Sequence, residues 1–435
     1  MNTLLIIAVV AVSVIGLLLR YGNWIRADFH DARARHFTRQ GNVAEKQKHY
    51  RRAAELWEIA GERGLAARAL ANWHNNNGDY LVAAEKYGEA LANAPGFAGS
   101  KHRSLLLMQR MLSLWQAGRY EAANVAARAV ASENAAEGSG AIGYRMLALA
   151  FGRVGQFVEA ERFIEEAAKR EQTPIEAGRT LAVRYLFKTY QGRFAEIIKR
   201  CESDEAGTEA SAQVLQNYAG ALSAVARFDE AAEVYRAGII QAPTSDKMTA
   251  TTTVALLQIG LALVELERGN HAEARALLET AAPLLESLPL MGYYLPAVRV
   301  LSDALSGNDA SDALRARILA ERGRVREAME TYPDPADGKR HYNEILIHLS
   351  RALLAVGEPE QALQTLEPLA TDNALLPGSL PTWHFWRGRV LEASGNTNAA
   401  RREYNRVIEI GEPENRYVKD ARTWLAAFAG NAPDA

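Results

Sequence analysis

The chain contains a single cysteine, Cys201, in 435 residues. That excludes a disulfide framework within the chain and a four-cysteine zinc site. Proline is sparse, at 14, and β-branched runs are rare beyond the N-terminus. With alanine abundant, this composition favours helix. A dominant charge is lacking too: 50 basic residues stand against 52 acidic, a net of −2. There is no phosphate-binding glycine loop of the P-loop or dinucleotide type, no Gly-x-Ser-x-Gly and no His-Glu-x-x-His, so the commonest sequence signatures of catalysis are missing. No cofactor and no metal centre is expected. What is present, 48% hydrophobic and 23% charged residues, is ordinary globular usage that can bury a core.

One long apolar run opens the chain. Residues 3–19 read TLLIIAVVAVSVIGLLL, 17 residues without a charge, at the short end of what spans a bilayer as a helix. Tyr21 and Trp24 follow, as suits a headgroup interface. No Lys or Arg precedes the run and no small-x-small site follows it, which counts against a cleaved signal. The expectation is one N-terminal transmembrane helix and a single-pass inner-membrane protein. From Arg20 to Arg52 nine basic residues face three acids, a net of +6, and the remainder carries −8. Positive flanks stay inside, so a cytoplasmic body is expected, with a periplasmic one as the alternative. The basic collar can also touch anionic lipid headgroups. The acidic remainder argues against nucleic acid as a partner.

A short phrase recurs down the chain. "GDYLVAAEKYGEALANAP" begins at Gly78, "GRYEAANVAARAV" at Gly118 and "GQFVEAERFIEEA" at Gly155. Its anchors are Lys48, Gly78, Gly118, Gly155, Gly192, Ala226, Gly269, Gly323, Gly357 and Gly395, spaced 30 to 54 residues apart. Two residues on there is usually an aromatic, as at Tyr80, Tyr120, Phe157, Phe194 and Phe228. Five on there is usually an alanine, as at Ala83, Ala123, Ala160, Ala231 and Ala400. Nine on there is often a large apolar residue, as at Trp57, Tyr87, Ile164, Tyr235 and Tyr404. A glycine ends one helix and turns the chain. The alanine lets the next helix lie close to its neighbour. Each unit is then a pair of antiparallel helices, and such pairs must stack to bury their apolar faces.

The unit from about Gly64 to Pro95, with Leu70, Gly78, Tyr80, Ala83, Tyr87, Ala90 and Pro95 at signature positions, resembles the tetratricopeptide repeat family. Other units depart: Ile197 stands where alanine is expected, and Pro359 replaces the aromatic. The resemblance implies an all-α, right-handed superhelical solenoid whose concave face binds protein partners. The expected organisation is an anchor over 1–20, a basic juxtamembrane segment and the start of the first pair over 21–47, and an array over 48–290. An irregular joint with an extra helix follows over 291–312, a second array with a capping helix over 313–430, and a frayed tail over 431–435.

Some members of the family clamp a partner's terminal carboxylate with cations and amides on the inner helices. By that resemblance Arg68 and Asn72 fall at the first two positions, and Gln109 stands near a third. The next repeat offers Ile142 and Met146, with Arg145 one place off. The clamp is incomplete, and Arg68, Asn72, Gln109 and Arg145 are expected to line part of a polar groove. "HYNEILIH" puts His341, Glu344 and His348 on one helical face, which reads as packing or surface before it reads as a metal site. Asn75 to Asn77 suit a helix end, and Trp383, Phe385 and Trp386 suit packing between repeats. The anchor-and-array layout is similar to a bacterial family that regulates lipopolysaccharide synthesis from the inner membrane, without that family's cysteine-rich metal module. The expected function is a non-catalytic scaffold that gathers proteins for assembly, quality control or regulation of an envelope complex. A periplasm-facing assembly factor is the alternative, and RNA binding a remoter one.

Overall fold

A computed structural model of the chain describes residues 20–37, 43–93, 100–133, 140–203, 211–242, 247–285, 294–307, 311–332, 334–370 and 375–430. Every regular element among them is helical. Contacts divide the chain into two compact units, Met1–Ala150 and Phe151–Ala435.

In the first unit, α1 (20–37), α2 (Val43–Ile59), α3 (Arg63–Asn76), α4 (Tyr80–Ala92), α5 (Ser100–Gln116) and α6 (Tyr120–Ser132) follow one another, and α7 (Gly140–Gly152) runs across the boundary. From α2 to α6 each helix packs on the next. Two of the cores each centre on one large ring with alanines and a leucine around it, Leu56 in the first and Leu106 in the second. Trp57 sits with Ala27, Ala53, Ala66 and Ala69, and Tyr87 with Ala67, Ala71, Ala83 and Ala90. The second unit continues with α8 (Phe157–Ala168), α9 (Pro174–Gln191), α10 (Phe194–Glu202), α11 (Ala212–Ala224), α12 (Phe228–Gln241), α13 (Lys247–Glu267) and α14 (His271–Leu285). Then come α15 (Tyr294–Leu305), α16 (Asp312–Glu330), α17 (Pro335–Ala355), α18 (Pro359–Leu366), α19 (Leu380–Ala393), α20 (Thr397–Ile410) and α21 (Arg416–Gly430).

The recurring phrase is a turn. Eight of its ten anchors, from Gly78 to Gly269 together with Gly357 and Gly395, have φ between 67° and 82°. At each, the following N–H reaches back five residues, as Asp79 to the His74 carbonyl (3.0 Å) and Arg193 to Lys188 (2.8 Å). This is the Schellman closure, which satisfies carbonyls at the helix end. The alanines five on are fully buried, Ala83, Ala123, Ala160, Ala231, Ala274, Ala362 and Ala400 all at 0% exposure. Two anchors are not turns. Lys48 lies inside α2 and Gly323 inside α16, and Ala328, five after Gly323, is only half-buried. The turn that serves α2 and α3 is at Gly61, with φ 77°. The repeated, tetratricopeptide-like helix pair is therefore present.

The membrane reading is corrected. Among the described residues no helix is long and apolar enough to cross a membrane, which overturns the expected single-pass inner-membrane placement. Residues 3–19, which carried that expectation, lie outside the described residues, as does the 431–435 tail. Of the collar, Arg20 pairs with Glu62 (3.4 Å), Arg35 with the buried Asp31 (3.4 Å) and Arg52 with Glu55 (2.8 Å).

Within the second unit the late helices fold back on the early ones. Glu412 caps α10, its Oε2 accepting from the backbone N–H of Phe194 (3.0 Å) and Ala195 (3.3 Å). Arg153 Nη2 donates to the Arg340 carbonyl (3.0 Å). Gly378 presses on the end of α9 so closely that a Cβ there would lie 2.1 Å from the Thr189 carbonyl oxygen. Glu267 of α13 holds both Arg351 of α17 (2.9 Å) and Arg416 of α21 (3.3 Å). Arg351 lies over the Trp386 ring at 4.4 Å, and Arg416 over Phe228 at 5.4 Å. An open array touches only nearest neighbours; this unit ties its end to its beginning.

Candidate functional site

The residues singled out for a groove lie in the first unit and mostly serve its own fold. Arg68 donates to Asp31 (2.7 Å), a carboxylate on α1 that is nearly sealed from water. Asn72 accepts from the Tyr87 hydroxyl (2.6 Å). Arg145 is 3% exposed and Gln109 half-buried. Arg68 and Asn72 are thus engaged in the helix stack. The asparagines behave alike: Asn75 accepts from Ser113 (3.2 Å) and Asn76 donates to the Asn72 carbonyl (2.6 Å).

The "HYNEILIH" face is divided by the fold. His348 is buried edge-on to Tyr294, with ring centroids 5.8 Å apart. The Tyr294 hydroxyl stands 3.4 Å from both His348 Nε2 and Glu344 Oε2. Burial, and then the neighbouring Arg351, push the His348 pKa down to about 3, so it is neutral there. His341 instead lies beside Tyr332 and Tyr342. Among the described residues no group of three or more His, Cys, Asp or Glu side chains is placed to hold a metal. Cys201 is partly covered, and burial raises its thiol pKa, which leaves little thiolate for chemistry.

The second unit holds a cavity of about 640 Å³. Its walls come from four separated segments, and small residues bring them together. Gly378 lets the Leu375–Pro377 segment lie against the end of α9. Gly388 of α19 lets the Tyr404 ring of α20 approach, since a Cβ would meet that ring at 2.9 Å. Glu403, beside Tyr404, then reaches His384 Nδ1 and Arg387 Nη1, both at 2.6 Å. Leu380, Trp383, His384 and Arg387 share one face of α19 by their spacing, and all four line the cavity. Arg406 and Ile410 enter from α20, Arg340 from α17, and Phe157 from α8. Leu369, Leu375 and Leu376 complete an aliphatic wall.

The electrostatics of this wall are one-sided. Three arginines and a histidine line it and no carboxylate does among the described residues. The acids that hold the arginines stand behind them: Glu403 on Arg387, Glu409 on Arg406 (2.6 Å), and Asp337 at 3.8 Å from Arg340. Each guanidinium has five N–H donors in a fixed fork, so Arg387 and Arg406 keep donors for a ligand. The Trp383 indole donates to the Leu366 carbonyl (3.3 Å), and one ring face is covered by Arg387, 5.3 Å from its centroid. An apolar concavity with a few placed polar groups is the usual form of a ligand site. Only the α19 face, mixing aliphatic and basic residues at helical spacing, marked this cavity in the sequence.

No family model and no curated protein matches the chain. Solved structures are similar to it at low identity. A chain of the Naa15/Naa10 structure bound to HypK-THB is 14% identical with a TM-score of 0.31, over 93% of this chain and 64% of that one. The P58(IPK) TPR domain is 12% identical with a TM-score of 0.24, over 84% and 99%. The human IFIT1 dimer with m7Gppp-AAAA is 14% identical with a TM-score of 0.41, over 88% and 90%. The chain thus spans less than two thirds of the first of these.

Proposed function

We propose that this chain is a non-catalytic interaction scaffold whose second unit holds a segment of a partner protein in the α19–α20 cavity. The observation that supports it is the pre-formed wall, in which aliphatic side chains lie beside arginines already oriented by acids outside the cavity. Binding to such a wall costs little ordering, and orientation is where affinity is usually lost. Its polar groups are donors and a paired imidazole, a set suited to recognition. The function served is the assembly or regulation of a protein complex.

The test is selection of peptides from a random library on the purified full-length chain, followed by binding to an Arg406→Glu variant, at a half-exposed side chain of the cavity wall, of unchanged melting temperature. Selected peptides should bind the variant at least tenfold more weakly. Equal binding to both would remove the cavity from the function.

A second reading, RNA binding, is favoured by the three arginines alone. It requires affinity for an oligonucleotide that falls steeply with salt. The covered face of Trp383 counts against it, because bases held on single strands are usually stacked on open rings.

A further inference from the structure

In the α9–α10 pair the repeat's buried alanine is replaced by Ile197, itself at 0% exposure, and the two helices pack less closely than α11 and α12 do. Beside them opens a cleft of about 440 Å³ walled by α8, α9 and α10, which shares no lining residue with the α19–α20 cavity. Four cations line its α9 and α10 walls, Arg184, Lys188, Arg193 and Arg200, against the single carboxylate of Glu196. Glu196 holds Lys188 (2.6 Å) and also Arg193. Arg184 and Arg200 pair with no acid among the described residues. Lys188 is only 9% exposed. An ammonium has three donors, and its one hydrogen bond among the described residues goes to Glu196. A buried charge is costly until its donors are satisfied, so this wall is set for a further anion.

The α8 wall has the opposite sign. It contributes Glu161 and Glu165, one turn apart on one helical face. Glu161 accepts from the Gln191 amide (3.4 Å), while Glu165 is exposed and has no partner among the described residues.

Going beyond the scaffold reading, and without resting on it, we propose that this cleft binds a sugar phosphate, its phosphate on the cations of α9 and α10 and its hydroxyls on the two carboxylates of α8. A phosphate dianion answers the excess of positive charge, and guanidinium groups grip it through paired N–H···O bonds. Inorganic phosphate would be held by the same groups but repelled by Glu161 and Glu165. A sugar turns that repulsion into attraction, because each hydroxyl can donate to a carboxylate. An extended peptide brings carbonyl oxygens to the same wall, and these cannot donate. A nucleotide base needs an open ring to stack on, and Phe187, the aromatic residue of the cleft, is 1% exposed.

Calorimetry on the full-length chain tests this with glucose 6-phosphate, fructose 6-phosphate, ribose 5-phosphate, inorganic phosphate, glucose and a phosphoserine hexapeptide. At least one sugar phosphate should bind tenfold or more tightly than inorganic phosphate, and glucose should show no saturable binding. Arg200→Gln should weaken the sugar phosphate and inorganic phosphate alike, about five- to tenfold. Glu165→Gln should weaken the sugar phosphate about fivefold and strengthen inorganic phosphate, a change of opposite sign that a loss of fold does not produce. Both positions are exposed, and melting temperatures taken alongside confirm that the variants are folded.

Sugar phosphates that bind no more tightly than inorganic phosphate would overturn the proposal. So would a phosphoserine peptide that binds more tightly than all three, which would assign the cleft to a modified protein. Neither result bears on the α19–α20 cavity, which is read by the peptide selection.

Discussion

Arg351 and Glu267 are 84 residues apart in sequence and meet at 2.9 Å in the second unit. Arg416 reaches the same carboxylate. Burial alone would raise the pKa of Glu267, and the two guanidinium groups reverse this and hold it below the ordinary carboxylate value. The three side chains tie α13, α17 and α21 together.

Arg351 is buried while the Glu267 side chain is a quarter open to water, so removing one partner costs a charge-assisted hydrogen bond and not a full desolvation penalty. Arg351→Met, which leaves Glu267 with Arg416, should lower the stability of the second unit by about 1–2 kcal/mol. Glu267→Gln should cost a similar amount. The double variant should cost clearly less than the sum, as coupled neighbours do. Denaturant unfolding of the four proteins measures it; strict additivity would show that the contact contributes no coupling.

His348 makes the same region sensitive to acid. Its pKa in the folded chain is about 3, against about 6.5 when unfolded. The unfolded chain therefore takes up the proton first. Stability is complete above about pH 6.5 and falls by up to about 1.4 kcal/mol per pH unit as the pH drops toward 3. Between pH 7 and 5 the loss is about 2 kcal/mol. His348→Leu should flatten this slope in pH-dependent melting; an unchanged slope would assign it to other groups.

Gly260 of α13 packs under Tyr235 of α12, where a Cβ would lie 2.5 Å from the ring. Alanine is the better helix former by about 1 kcal/mol, but forced overpacking costs about 1–3 kcal/mol. Steric crowding should prevail, so Gly260→Ala destabilises by about 1 kcal/mol or more. Adding Tyr235→Leu should make the alanine stabilising. Thermal melts of the single and double variants decide this.

Ala226 is the one non-glycine residue with positive φ among the described residues, at 67°. An L-residue in left-handed backbone is strained by about 1–2 kcal/mol. Its side chain is exposed, so nothing is lost by removing it. Ala226→Gly should stabilise by about 0.5–1 kcal/mol, the strain relieved less the greater freedom of unfolded glycine. A lower melting temperature would contradict the assignment.

The sequence made the turns legible because their information is local. A glycine, an aromatic two on and an alanine five on are enough to write a Schellman turn and the helix that packs behind it. The same letters misled at Gly323 because a five-residue pattern does not report whether the helix around it ends. Gly61 was missed because Arg63 stands where the aromatic is expected. The candidate site was far less legible. Arg68 matched a ligand-binding position, yet its donors go to Asp31, 37 residues upstream. The cavity joins Phe157, Arg340, Leu376, Arg387 and Arg406, a set with no spacing to read. Gly378 and Gly388 bring those walls together; Gly388 is legible as a repeat position of the last unit, and Gly378 is not.

The return of α21 to α13 also bears on how the molecule is made. Glu267 leaves the ribosome 149 residues before Arg416. At usual elongation rates of about 5–20 residues per second, the interval is roughly 7–30 s. Helix pairs up to α14 can close as they emerge, each on the one before. The Glu267 carboxylate waits with one of its two arginines until the last helix arrives. Synthesis in this unit therefore ends with a locking step, and a nascent chain stalled short of Arg416 has α13 and α17 joined through Arg351 but lacks the tie to α21.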